Sequence, residues 1–292
     1  MVKRIISIIA VLTLLLLFGC TPQEKPAQVA ATTLPVYEFT SRLCSGTSIT
    51  VTRLVTENVS CLHDYSLNVR QVRAAEAAEL IVISGAGLED FMEDLLCGKE
   101  TVDSSHGIDL LSCTHEHDHD HEHTHQHEAD AHIWLSPENA KIMARNIFTG
   151  LCEKYPDHAE AFSANLRSLL ADLDALQQYG SEQLSSLSCR ELITFHDGFS
   201  YLADAYHLHI LQAMEEESGS EASATELKHL IIEVQEHNLP AIFAEVNGSV
   251  SAAGIISAET GAKVFHLDMA MAGDSYFDAM YHNINTLKEA LQ

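Results

Sequence analysis

Two kinds of apolar patterning alternate along the chain. Short apolar runs bounded by polar or turn residues predict strands at residues 31–34, 49–55, 80–84 and 101–104. A second group follows at 191–195, 241–244 and 263–267. Between them, helix-period amphipathic stretches occupy 69–78, 88–96, 138–152 and 226–236. Ser223 and Glu226 have the spacing of a capping box at the start of the last one. Strands alternating with helices in two separate groups predict an α/β protein of two lobes, each with a mainly parallel sheet flanked by helices.

One long helical pattern, 157–187, separates the groups. Ala159, Phe162, Leu166, Leu169, Leu173 and Leu176 recur at steps of three and four and form a single stripe. A continuous helix there reaches roughly 46 Å at about 1.5 Å per residue, enough to run along both lobes. The competing arrangement is a helical hairpin inside one domain. Gly180 is where a continuous helix is expected to bend. The expected organisation is therefore a leader at 1–19, a tether at 20–28, an N-terminal lobe at 29–156, a linking helix at 157–188 and a C-terminal lobe at 189–292.

The leader changes the picture of where the protein works. Lys3 and Arg4 precede a nearly unbroken apolar run from Ile5 to Phe18, too short to be a comfortable permanent span. It ends Leu17-Phe18-Gly19-Cys20, which has the form of a bacterial lipobox. Cleavage before Cys20 would leave a lipidated cysteine in the bilayer; an uncleaved N-terminal anchor is the other reading. The following segment, with Pro22 and Pro26, has little to fold around. No later run is long and apolar enough to span a membrane.

The net charge is −26, and losing Lys3 and Arg4 with the leader makes it −28. Such a surface repels nucleic acid and draws cations. The reading is a monomer with no nucleic-acid partner. Setting Cys20 aside, six of the seven cysteines remain, in no Cys-x-x-Cys pair. That disfavours a thiolate zinc site and, in an exported chain, invites disulfides. In an α/β lobe Cys61 and Cys113 both follow strands and fall at one end of the sheet, so their pairing is the expected bridge. Cys44 with Cys97 or Cys152 is the alternative pairing, and Cys189 is left unpaired.

Histidine carries the chemistry. His115, His117, His119, His121, His123, His125 and His127 alternate with Glu, Asp, Thr and Gln in a stretch, 114–128, that has no core-forming residues. Neutral imidazoles interleaved with carboxylates suit Zn²⁺, Cu²⁺ or Ni²⁺. A flexible segment loses entropy on wrapping a metal, so its sites are expected to be secondary and weak. A solvated, pH-sensitive linker has the same composition.

Three other histidines sit at predicted strand ends or just before a helix. They are His63 in Cys61-Leu62-His63-Asp64-Tyr65, His132 in Asp130-Ala131-His132-Ile133-Trp134, and His196 in Thr194-Phe195-His196-Asp197-Gly198. Carboxyl ends of parallel strands are where α/β folds hold ligands. Singly, each has an ordinary structural explanation; together, they imply one cleft shared by two lobes.

His63-Asp64-Tyr65, His132-Ile133-Trp134-Leu135-Ser136-Pro137, Phe195-His196-Asp197 and Ala272-Gly273-Asp274-Ser275-Tyr276 resemble, in order and spacing, the zinc/manganese solute-binding lipoproteins of ABC importers. The resemblance covers nearly the whole mature chain, and the His-rich stretch before His132 is similar to that of the zinc-uptake branch. It implies the metal ligands His63 and His132 from the first lobe and His196 and Asp274 from the second, with Zn²⁺ as the transported ligand. It also implies an extracytoplasmic protein, periplasmic or surface-held by its Cys20 lipid, that serves an importer permease. Three imidazoles and a carboxylate suit tetrahedral Zn²⁺, whereas manganese prefers more oxygen. Leu62 occupies a position that is acidic in some zinc-type relatives, which puts more weight on Asp274. Glu245 reads as a structural or hydrogen-bonding residue near the cleft.

Nothing in the chain has the form of a catalytic motif. There is no Gly-x-Ser-x-Gly, no HExxH and no phosphate loop, and four protein ligands leave no open position for a catalytic water. The rival functions are a manganese- or iron-binding protein of the same importer class and, from another class, an extracytoplasmic metallohydrolase.

Overall fold

The computed structural model describes residues 26–57, 62, 65–112, 129–214, 223–248 and 250–292. The leader, Cys20, Cys61, His63, Cys113 and the His-rich stretch lie outside the described residues.

The N-terminal lobe is a four-stranded sheet of β1 (Val29–Ala31), β2 (Val51–Arg53), β3 (Leu80–Ile83) and β4 (Thr101–Asp103), in the order β2-β1-β3-β4. All its pairs are parallel. The predicted strand 31–34 in fact ends at Ala31, because Leu34-Pro35 opens helix α1 (Leu34–Leu43). Proline at a helix start sacrifices no intrahelical bond, since the first N–H groups have no partner there. Helix α2 (Val69–Ala77) starts with a complete Asn68/Gln71 capping box. The predicted helix 88–96 is shorter: a 3₁₀ turn, Asp90–Met92, leads into α3 (Glu93–Leu96). Its first turn is lost because Glu89 turns inward. The Glu89 carboxylate accepts from Thr32 Oγ1 at 2.6 Å, Ser84 N–H at 2.7 Å and Gly85 N–H at 2.9 Å.

The C-terminal lobe repeats the topology. Strands β5 (Glu191–Thr194), β6 (His209–Ala213), β7 (Ala241–Glu245) and β8 (Lys263–Leu267) are ordered β6-β5-β7-β8, again all parallel. Helix α4 (Pro137–Lys154) belongs to the first lobe. Helices α6 (Ser200–Ala205), α7 (Ala224–Glu236), α8 (Ser251–Thr260) and α9 (Tyr276–Leu291) belong to the second. The Ser223/Glu226 capping box is formed.

Helix α5 (Ala159–Gln183) follows a 3₁₀ turn at Pro156–His158 and spans both lobes, which rules out the hairpin. At about 1.5 Å per residue it is roughly 37 Å long. Its middle is tied to the N-terminal lobe by ion pairs of Asp172 with Arg42 and of Asp174 with Lys141. Its last part is tied to α9, where Tyr179 Oη donates to Asn285 and Lys288 Nζ donates to Gln183, each at 2.7 Å. The helix stops short of the predicted 187 because the Arg190 guanidinium captures the carbonyls of Leu184 and Ser185. It runs unbroken through Gly180. That glycine is there for space: a Cβ would lie 2.3 Å from the Tyr206 ring.

One core cluster runs from the first lobe through α5 to the second. Phe39 of α1 meets Tyr276 edge-to-face at 5.0 Å between ring centroids, and Tyr276 N–H donates to Glu38 at 2.6 Å. Cys44, Cys97, Cys152 and Cys189 are free thiols, so Cys44 pairs with neither Cys97 nor Cys152. Burial pushes the Cys44 thiol up to about 12. Among the described residues no helix is long and apolar enough to cross a membrane.

Candidate metal centre

In both sheets the strand order reverses between the first and third strands of the lobe, so a crevice opens beyond their carboxyl ends. In the second lobe those strands are β5 and β7. His196 lies two residues beyond β5, and Glu245 ends β7. The turn after β5 is fixed by Phe195 N–H, which donates to Phe243 at 2.8 Å, and by Thr194 Oγ1, which donates to the His196 carbonyl at 3.1 Å. His196 is 6% exposed and Glu245 3%. His196 Nδ1 stands 3.8 Å from Glu245 Oε2, an ion-pair distance rather than a hydrogen bond. Burial, with Asp268 nearby, pushes the Glu245 carboxyl up to about 7.

His132 comes from the first lobe. It caps the 3₁₀ turn Ile133–Leu135, which runs into α4 through the Ser136 cap and Pro137. Its side chain is 3% exposed. Asp130 Oδ1 lies 2.8 Å from His132 Nδ1 and also accepts His132 N–H at 2.9 Å. This carboxylate assigns the ring proton to Nδ1 and leaves Nε2 as the lone-pair nitrogen, the arrangement that a metal-binding histidine requires.

The two imidazoles meet edge-on, with ring centroids 5.3 Å apart and planes at 84°. Gly198 makes this approach tolerable, since a Cβ there would lie 2.8 Å from His132 Cε1 and Nδ1. Trp134 also packs edge-on against His132, at 5.4 Å between centroids. Buried, oriented and in contact across the lobe boundary, this pair can offer two nitrogen donors to one cation.

The structure thus brings together two of the four expected ligands. His63 lies outside the described residues. Its neighbours are fixed: Leu62 is buried in the core, and Tyr65 Oη donates to Glu57 at 2.7 Å. Asp274 is exposed, in the loop between β8 and α9. That loop touches the first lobe where Arg53 donates to the Gly273 carbonyl at 2.8 Å. Among the described residues, no three His, Cys, Asp or Glu side chains converge into a group that could hold a metal. Asp130 is the residue sequence reading passed over. Its signal was the Asp-x-His spacing, which places a carboxylate and an imidazole on one side of a tight turn.

Residues 29–290 match the family model described as "ZnuA: Zinc-uptake complex component A periplasmic". The high-affinity zinc uptake system protein ZnuA of Bacillus subtilis (strain 168) is 30% identical over 283 residues, covering 90% of this chain and 87% of that protein. The zinc-binding lipoprotein AdcA of Streptococcus pneumoniae serotype 4 is 29% identical over 306 residues, covering 98% of this chain but 61% of that longer protein. A crystal structure of ZnuA aligns with a TM-score of 0.79 at 30% identity, covering 91% of this chain and 100% of that one.

Proposed function

Because this chain belongs to the family of zinc-uptake complex component A, we propose that it is an extracytoplasmic protein that captures Zn²⁺ and hands it to the permease of an ABC-type importer. The observation that carries this reading is the buried pair His132 and His196, set edge-on from different lobes at 5.3 Å between ring centroids. The names of its relatives, a zinc uptake protein and a zinc-binding lipoprotein, point to the same cargo.

The proposed ligands are His63, His132, His196 and Asp274. The donor chemistry supports zinc, since three imidazoles and one carboxylate make a closed tetrahedral set. A closed set also leaves no place for a catalytic water, so the protein is read as a carrier and not an enzyme. The His-rich stretch 114–128 is proposed to hold further, weaker ions. Residues 1–19 are read as a cleaved leader and 20–28 as a tether lipidated at Cys20. The lobes are 29–156 and 189–292, joined by 157–188.

Metal content is the test. Mature protein purified without chelator is expected to retain about one tight Zn²⁺ per chain, plus weaker ions. Deleting 114–128 should remove the weak ions and leave the tight one. Loss of the tight ion with the stretch would overturn the ligand assignment, and a tightly held manganese or iron in place of zinc would overturn the cargo.

A further inference from the structure

The neck of the His-rich stretch contains a side chain from the other lobe. Ser112 and Ala129 form an antiparallel bridge, and Leu111 and Asp130 stand next to it. In a regular antiparallel ladder two such residues exchange both backbone hydrogen bonds. Here one is direct, with Asp130 N–H donating to the Leu111 carbonyl at 2.8 Å. The return bond runs through Tyr201. Leu111 N–H donates to Tyr201 Oη at 2.9 Å, and Tyr201 Oη donates to the Asp130 carbonyl at 3.0 Å. Tyr201 is buried in α6 of the second lobe, five residues beyond His196.

We infer that Tyr201 is a positioning residue for zinc, acting through Asp130 on His132; this rests on the zinc-binding reading above. One short segment, 196–201, carries both His196 and the hydroxyl that fixes the Asp130 backbone. Asp130 in turn holds the His132 ring by its carboxylate. A rotation of the Asp130 peptide would swing that carboxylate, and with it the Nε2 direction of His132. Two further bonds from the second lobe fix the turn just beyond His132. Trp134 Nε1 donates to the Met269 carbonyl, and Tyr276 Oη donates to the Trp134 carbonyl, each at 2.8 Å. His132 is therefore held in place by the second lobe, although its own lobe is the first. The hydroxyl also ties Leu111 to Asp130 on either side of the Ser112–Ala129 bridge.

The test uses the full mature chain with Tyr201→Phe, which keeps the ring and removes the hydroxyl. Tyr155→Phe is the control, because that hydroxyl serves Glu79 and the Gln28 carbonyl, remote from the neck. Zinc affinity is measured by chelator competition, and the visible spectrum of the Co²⁺-loaded protein reports ligand geometry. Tyr201→Phe is expected to weaken zinc about tenfold, the low end for residues that orient metal ligands, and to alter the cobalt spectrum. Tyr155→Phe should leave both unchanged. Tight wild-type zinc with unchanged affinity and spectrum in Tyr201→Phe would overturn this role alone, as would equal weakening in both variants. A wild-type protein without tight zinc would overturn the functional reading and this role with it.

Discussion

Asp130 and His132 are two residues apart, yet the carboxylate reaches back to the imidazole at 2.8 Å while also accepting its backbone N–H. A carboxylate so buried is costly unless its charge is compensated. Asp130 Oδ2 accepts no hydrogen bond among the described residues, so hydrogen bonds alone leave the compensation incomplete. A divalent cation on the far nitrogen of His132 would supply it through the ring.

Asp130→Ala is therefore expected to weaken both zinc binding and folding. Zinc affinity should fall by about 10–100-fold, because the ring loses its orientation and part of its basicity. Stability without zinc should fall as well, by about 1–3 kcal/mol, because the buried His132 N–H and Nδ1–H lose their acceptor. Chelator competition and urea unfolding of the metal-free protein check the two halves. Unchanged zinc affinity would mean that Asp130 is structural only.

The parallel sheets were legible because their central strands are continuous apolar runs. Leu80–Ile83 and Ala241–Glu245 are buried on nearly all positions, and such runs have few other readings. Strand β6 was missed because His209, Ile210, Leu211 and Gln212 are only half-buried or exposed at the sheet edge, so neither alternation nor a full apolar run survives. Helix α8 was missed because Ser, Ala and Gly dominate its sequence and its apolar face is shallow. At the site, His132 and His196 were legible from their place at element ends. The Tyr201 contact was not, since it depends on which segments the two lobes bring together. Asp274 was expected at the centre and stands exposed, on a loop whose position no local pattern encodes.

Gly180→Ala tests the reading of the long helix. In an exposed helix interior this change stabilises by about 1 kcal/mol, because alanine has the better propensity. Here the new methyl would fall 2.3 Å from Tyr206 Cε1 and 2.5 Å from its hydroxyl oxygen. Overpacking of this kind costs about 1–3 kcal/mol, and steric conflict with a buried ring outweighs propensity. The variant should unfold at lower urea than wild type, with zinc affinity retained. A stabilised variant would mean that Gly180 is a flexible point after all, and that Tyr206 yields easily.

The pH dependence of folding should carry a signature of Glu89, at the crevice of the first lobe. Its carboxyl accepts three hydrogen bonds that favour ionisation, but complete burial outweighs them and pushes it up to about 7. An unfolded glutamate releases its proton near 4.5. Between these values the folded protein keeps a proton that the unfolded chain has lost. Proton uptake on folding makes stability fall as pH rises. The contribution is thus fully present below about pH 4.5 and is lost as pH climbs through about 7, with a total on the order of a few kcal/mol. Glu89→Gln is neutral throughout and removes this slope. Urea unfolding of the chelator-treated wild type and variant from pH 4.5 to 8 gives a difference in which other groups, Glu245 among them, cancel. Wild type minus variant should decline steadily across that window and flatten above it. A difference that is constant with pH would place the Glu89 titration below the window, with the three hydrogen bonds prevailing over burial.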